Sequence, residues 1–107
     1  MARESAFKTR FLNRVEEEFP GCIIIRLDPE FLQGIPDTLV LIGTTWFALE
    51  FKRSKTAPKR PNQDYYVEKL YHMSYAAFVY PENEEEIFDE LQRTFKFGGT
   101  PRFPQPQ

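Results

Sequence analysis

A chain of 107 residues, 41% hydrophobic and 16% aromatic, is long enough for one compact core and too apolar for a disordered tail. Its 14 basic and 16 acidic side chains leave a net charge of −2, so bulk electrostatics identify no nucleic-acid or membrane partner and only the arrangement of charge can. The single Cys22 excludes an internal disulfide, no apolar run reaches membrane-spanning length, and MARESAFKTRF lacks the apolar stretch of a signal peptide, so an intracellular soluble protein is expected.

Phe7, Phe11, Leu12, Val15 and Phe19 recur at helical spacing and predict an amphipathic helix over 4–19 that stops at Pro20-Gly21. Cys22 to Leu27 (CIIIRL) is β-branched and apolar and reads as a buried strand, with Cys22 inert at its start. The segment DPEFLQGIP, with its prolines and glycine, connects it to two further strands, TLVLI and WFALEFK. After the loop RSKTAPKRP, Asn62 is placed to cap a helix whose inner stripe is Gln63, Tyr66, Leu70 and Met73. AAFVY, residues 76–80, is a fourth strand. Asn83 followed by Glu86 resembles a capping box, and Ile87, Phe88, Leu91 and Phe95 give a last helix its inner face. Residues 1–97 are expected to form one domain, and 98–107 (GGTPRFPQPQ) a loose tail. The order is αβββαβα: a mixed central sheet flanked by helices, in the α/β class.

The charges in GIPDTLVLIGTTWFALEFK carry the functional reading. In WFALEFK, Trp46, Ala48, Glu50 and Lys52 share one face, and Phe47, Leu49 and Phe51 share the other. Ile42-Gly43-Thr44-Thr45 reads as a two-residue hairpin turn with Gly43 at the position that requires positive φ. Ile42 then pairs with Thr45, and the same register sets Asp37 opposite Glu50. Like charges so placed destabilise a sheet by up to about 1 kcal/mol, and a divalent cation between them offsets the repulsion. With no Cys or His alongside, the oxygen ligands favour Mg²⁺ or Mn²⁺ over zinc, and Lys52 adds an amine on the same face.

Pro36-Asp37 followed after a short hairpin by Glu50-Phe51-Lys52 resembles the PD-(D/E)xK nuclease superfamily, whose restriction-endonuclease-like core has the order αβββαβ. More narrowly, GIPD, ALEFKRS and the glutamine in RPNQDYY resemble the VRR-NUC branch, which includes small stand-alone phage nucleases; the likeness runs from about Glu4 to Leu91. It implies that Asp37 and Glu50 bind the metal ion together with the carbonyl of Phe51, that Lys52 positions the attacking water and stabilises charge on the phosphate, and that Gln63 is the branch's glutamine. It also implies a first-helix glutamate ligand. Glu4 fits that place, with Glu18 on the same stripe at the other end as the alternative. A glycine often found after the second helix in this branch is replaced around His72 to Tyr75.

Residues 52–60, KRSKTAPKR, carry five basic side chains and no acid; beyond Lys52, Arg53, Lys55, Lys59 and Arg60 are candidate DNA-backbone contacts. The acidic run PENEEEIFDE reads as dipole-satisfying carboxylates at a helix N-terminus. Lone His72 reads as packed or surface, and Tyr65, Tyr66 and Tyr71 as core. The expected function is a Mg²⁺- or Mn²⁺-dependent DNA endonuclease selective for branched, flap or junction DNA, working as a homodimer in the cytoplasm of a bacterial or phage-infected cell. The alternative is a non-catalytic nucleic-acid-binding module that keeps the fold.

Overall fold

The computed structural model describes residues 3–96, with side chains from residue 6 onward, so the expected tail at 98–107 lies outside the described residues. The elements are α1 (Arg3–Glu18), β1 (Ile23–Arg26), β2 (Thr38–Ile42), β3 (Thr45–Phe51), α2 (Gln63–Met73), β4 (Ala76–Val79), a 3-10 turn (Pro81–Asn83) and α3 (Glu84–Phe95). The strands form one sheet in the order β1-β2-β3-β4, antiparallel as far as β3 and parallel between β3 and β4. A parallel neighbour needs a crossover, and α2 supplies it.

The period-2 pattern of β3 decides which layer lies on which side. Phe47, Leu49 and Phe51 turn to the face that α1 and α3 cover, and they join Phe7, Phe11, Val15, Phe19, Val40, Val79, Ile87, Phe88 and Leu91 in the core. Phe11 sits at its centre, its ring centroid 5.6 Å from that of Phe51 and 5.8 Å from that of Phe88, both edge-on. Arg14 fastens the two helices to each other, its guanidinium 3.0 Å from Glu84 and 2.9 Å from Glu85 and over the Phe88 ring. The acidic start of α3 thus engages α1 as well as the helix dipole.

On the opposite face α2 packs on β3 and β4. The small pair Ala48 and Ala76, aligned across the parallel ladder, lies buried there. Ser74 and Tyr75 join α2 to β4. The Ser74 hydroxyl donates to the Trp46 carbonyl at 2.6 Å, and Tyr75 is buried in the core cluster.

Several local expectations fail for identifiable reasons. β1 is shorter than 22–27 and is an edge strand rather than a buried one. Only Ile24 packs on the core, whereas Ile23 and Ile25 are 58% and 36% exposed. Cys22 precedes β1, half-buried, and burial pushes its thiol up, with Glu16 adding to the shift. Asn62 stands at the start of α2 with φ 70 and makes no side-chain cap. Met73, expected on the inner stripe, is 63% exposed because it stands at the last position of α2. Tyr65, expected in the core, is exposed; His72 is at the surface, one of its two expected settings, 4.0 Å from Glu68. Asn83 forms no capping box with Glu86. Its amide instead accepts from the Tyr80 N–H and donates to the Phe78 carbonyl, tying off the end of β4.

One glycine governs how the connecting loop meets α2. Gly34 has φ 94, and a Cβ added there would lie 2.6 Å from the Asn62 Cβ and 2.7 Å from its carbonyl carbon. The segment before Asp37 is thereby pressed against the first residue of the α2 cap. Gly34→Ala combines a strained φ with a steric clash, and we expect it to lower unfolding free energy by about 2–4 kcal/mol, read as a shift in denaturation midpoint. Gly21→Ala, where an added Cβ would touch nothing, carries only the φ penalty and is expected to cost less than half as much.

Candidate active site

The hairpin register brings the acidic residues together. Ile42 pairs with Thr45 through a turn in which Gly43 has φ 54, and the ladder continues to Thr38 opposite Leu49. One step further, Asp37 and Glu50 meet. The Asp37 N–H donates to Glu50 Oε1 at 3.1 Å, and the Phe51 N–H reaches Asp37 Oδ2 at 3.4 Å. The Asp37 carbonyl accepts from the Leu27 N–H at 2.8 Å, which fixes this residue to the end of β1 as well.

Lys52 follows β3, its N–H still continuing the parallel pairing to the Val79 carbonyl at 2.8 Å. Its ammonium group donates to Gln63 Oε1 at 2.8 Å and to the Pro58 carbonyl at 3.1 Å, and stands 3.9 Å from Glu50 Oε2. Gln63, the only buried residue of α2, is the hub: its Nε2 donates to Glu50 Oε2 at 3.0 Å, while its Oε1 also accepts from the Arg60 N–H at 2.8 Å. One amide therefore spaces the carboxylate from the ammonium and holds the returning loop in place.

Asp37, Glu50, Lys52 and Gln63 line one cavity of about 390 Å³, together with Pro29, Ile35, Arg53, Ala57, Pro58, Lys59 and Arg60. Of the basic loop, Arg53, Lys59 and Arg60 are thus at its wall. Lys59 is also held 3.0 Å from Asp64 and over the Phe78 ring. Lys55 is exposed outside this lining, its N–H donating to Glu82. Phe51 contributes its backbone to the site and its ring to the core. Glu4 falls in the first turn of α1, with its side chain outside the described residues. Glu18 is at the far end of α1, beside Gly43 and 3.1 Å from Lys96, and so is removed from Asp37.

Two neighbours of Asp37 escaped the sequence reading. Thr38, 1% exposed, donates its hydroxyl to Asp37 Oδ1 at 2.6 Å, and Lys8 of α1 places its ammonium 3.4 Å from the same oxygen. Nothing in the hydrophobic periodicity marks Lys8, which lies beside the apolar stripe; adjacency to Asp37 was the one available signal for Thr38.

Burial, with the nearby charge of Asp37 second, pushes the Glu50 carboxyl up from 4.5 to about 7, although Lys52 and the hydrogen bonds from Asp37 and Gln63 pull the other way. A cation fits such a place: paired oxygen ligands lower their mutual repulsion by sharing it. Among the described residues no group of three or more His, Cys, Asp and Glu gathers as a metal cage. Asp37 and Glu50 would therefore hold an ion that draws its remaining ligands from backbone carbonyls, water and substrate oxygens, a habit of Mg²⁺.

The same shift has a stability consequence. A carboxyl whose folded-state pKa exceeds its unfolded value contributes stability below the unfolded pKa, and that contribution disappears as pH rises through the folded one. Without divalent ions, the melting temperature is expected to fall as pH rises from about 4.5 to about 7, the window set by Glu50. Glu50→Gln should flatten that part of the profile; an unchanged pH slope in the variant would remove Glu50 as its cause.

No family model matches the chain, and no curated protein matches it by sequence. Among solved structures, one described as a VRR_NUC domain matches with a TM-score of 0.67 at 20% identity, over 83% of this chain and 97% of that one. Together with the αβββαβα order and the mixed four-stranded sheet, this gives the chain the VRR-NUC fold.

Proposed function

We propose that the protein is a metal-dependent nuclease that hydrolyses phosphodiester bonds in DNA. The observation that carries this reading is the convergence of Asp37, Glu50, Lys52 and Gln63 on one cavity whose rim bears Arg53, Lys59 and Arg60. Phosphodiester hydrolysis requires a nucleophile stronger than neutral water and stabilisation of the charge that builds on phosphorus. Mg²⁺ or Mn²⁺, held by Asp37 and Glu50, supplies both by lowering the pKa of water and polarising the phosphate.

The chain's own residues do the rest. The Lys52 ammonium, fixed by Gln63 and the Pro58 carbonyl, offers its remaining hydrogen to the water or the phosphate oxygen and stabilises negative charge on either. Gln63 keeps Glu50 and Lys52 from collapsing into a direct pair, which leaves Glu50 open toward a cation. Arg53, Lys55, Lys59 and Arg60 bind the DNA backbone without reading bases, so selectivity follows the shape of the substrate, with branched, flap or junction DNA favoured. No covalent intermediate on the protein is needed.

A second copy of the chain completes the reading. The face that α2 covers over β3 and β4 extends across β1 and β2, where exposed Ile23 and Ile25 align with half-buried Leu41 and Leu39. β1 is also a sheet edge. An apolar, uncharged sheet face beside an open edge fits a twofold self-association, which would give one assembly two cutting sites. Light scattering should report a dimer, and Ile23→Glu with Ile25→Glu should shift it to monomer; a monomeric unmodified protein at micromolar concentration would exclude this interface.

The central test is cleavage of a panel of flaps, splayed arms, four-way junctions, linear duplexes and single strands with Mg²⁺ or Mn²⁺. Branched DNA should be cut, chelator should abolish cutting, and Asp37→Asn should lower the rate by at least about 100-fold while leaving DNA binding in place. Binding without cleavage by the unmodified protein would replace the hydrolase with a nucleic-acid-binding module.

A further inference from the structure

Lys8 stands against the site without belonging to the hairpin or the basic loop. It rises from α1 between Phe7 and Phe11, which are 3% and 0% exposed, so its backbone is fixed by the core. Its side chain is only 18% exposed, with the ammonium 5.5 Å from the Phe51 ring centroid and 3.4 Å from Asp37 Oδ1. Asp37 Oδ1 also accepts from Thr38, while Oδ2 faces the Phe51 N–H. Asp37 thus has a resident cation of its own, as Glu50 has Lys52 at 3.9 Å.

We infer that Lys8 is an internal competitor of the divalent ion, a positioning residue that holds Asp37 oriented and charge-compensated until the ion takes its place. The inference rests on the metal-dependent reading above and concerns what sets the ion's affinity. A divalent ion on Asp37 and an ammonium at ion-pair distance from the same oxygen repel each other, and the half-buried setting screens that repulsion less than bulk water does. The long unbranched side chain, held at its ammonium by Asp37 and the Phe51 ring, can swing outward when the ion enters. The site therefore binds the ion more weakly than its two carboxylates alone would, its apparent affinity lowered by Lys8.

The test is titration of Mn²⁺ into the full chain without DNA, followed by calorimetry, for the unmodified protein, Lys8→Gln, Lys8→Arg and Asp37→Asn. Lys8→Gln should bind at least about threefold more tightly, Lys8→Arg, which keeps the charge, should stay within about twofold of the unmodified protein, and Asp37→Asn should lose the site. A purely structural role would weaken binding in Lys8→Gln, if it changed it at all. Equal or weaker binding there, with an Asp37-dependent site intact in the unmodified protein, overturns the role of Lys8 and leaves the metal reading standing. Absence of any saturable Asp37-dependent site in both proteins overturns the metal reading and Lys8 with it. Thermal melts without metal report folding, and Lys8→Met, which keeps an unbranched apolar stem, takes the same test if Lys8→Gln unfolds.

Discussion

Two carboxylates held side by side are the constraint around which this end of the molecule is built. The hairpin register brings Asp37 beside Glu50, where the Asp37 N–H donates to the Glu50 carboxylate and the Asp37 carbonyl accepts from the Leu27 N–H. Burial raises the cost of charging Glu50, and Asp37 adds to it. Each compensating contact answers that repulsion: Thr38 and Lys8 on Asp37, and Gln63 and Lys52 on Glu50. A sheet stabilised for its own sake would place apolar or opposite-sign pairs there. The local conflict with stability is the feature that separates a site from an ordinary strand end.

The fold makes the constraint possible by dividing its work between two faces. Phe47, Leu49 and Phe51 bury one side of β3 under α1 and α3, while the other side carries Ala48 for packing and then the carboxylate of Glu50 at the cavity. The crossover that a parallel β4 demands brings the start of α2 back over the same strand end, and Gln63 is the residue delivered there. Gly34 against Asn62 locks the two loops that flank the cavity. Glu50 and Gln63 thus sit on elements fixed by the core, while Asp37 and Lys52 stand at the ends of the 27–37 and 52–62 loops where these meet β2 and β3.

Much of this was legible in the sequence because it depends on local rules. The period-2 alternation of WFALEFK and the single glycine of IGTT specify the faces and the register, so the meeting of Asp37 with Glu50 follows from arithmetic on a turn. Amphipathic spacing in α1 and α3 gives Phe7, Phe11, Val15, Ile87, Phe88 and Leu91 as core. Where the reading failed, a nonlocal term decided. CIIIRL has the composition of a buried strand, but sheet order puts it at an edge. Asn83 and Asn62 are chemically competent caps, yet Asn83 is taken by β4 and Asn62 by a left-handed turn. Lys8 was invisible because its role depends on a helix and a loop meeting in space, which no periodicity encodes.

The distribution of charge resolves the near-neutral composition. Lys8, Lys52, Arg53, Lys59 and Arg60 gather around the cavity or its first contacts, while Glu84 and Glu85 are committed to Arg14 at the start of α3. The net charge of −2 therefore conceals a cationic mouth around two acids. For a polyanionic substrate this order matters: the rim attracts phosphate, and the acids inside would repel it unless a cation lay between. On the proposed reading, binding of a polyanionic substrate and binding of a divalent ion would for that reason be coupled by electrostatics, each lowering the cost of the other.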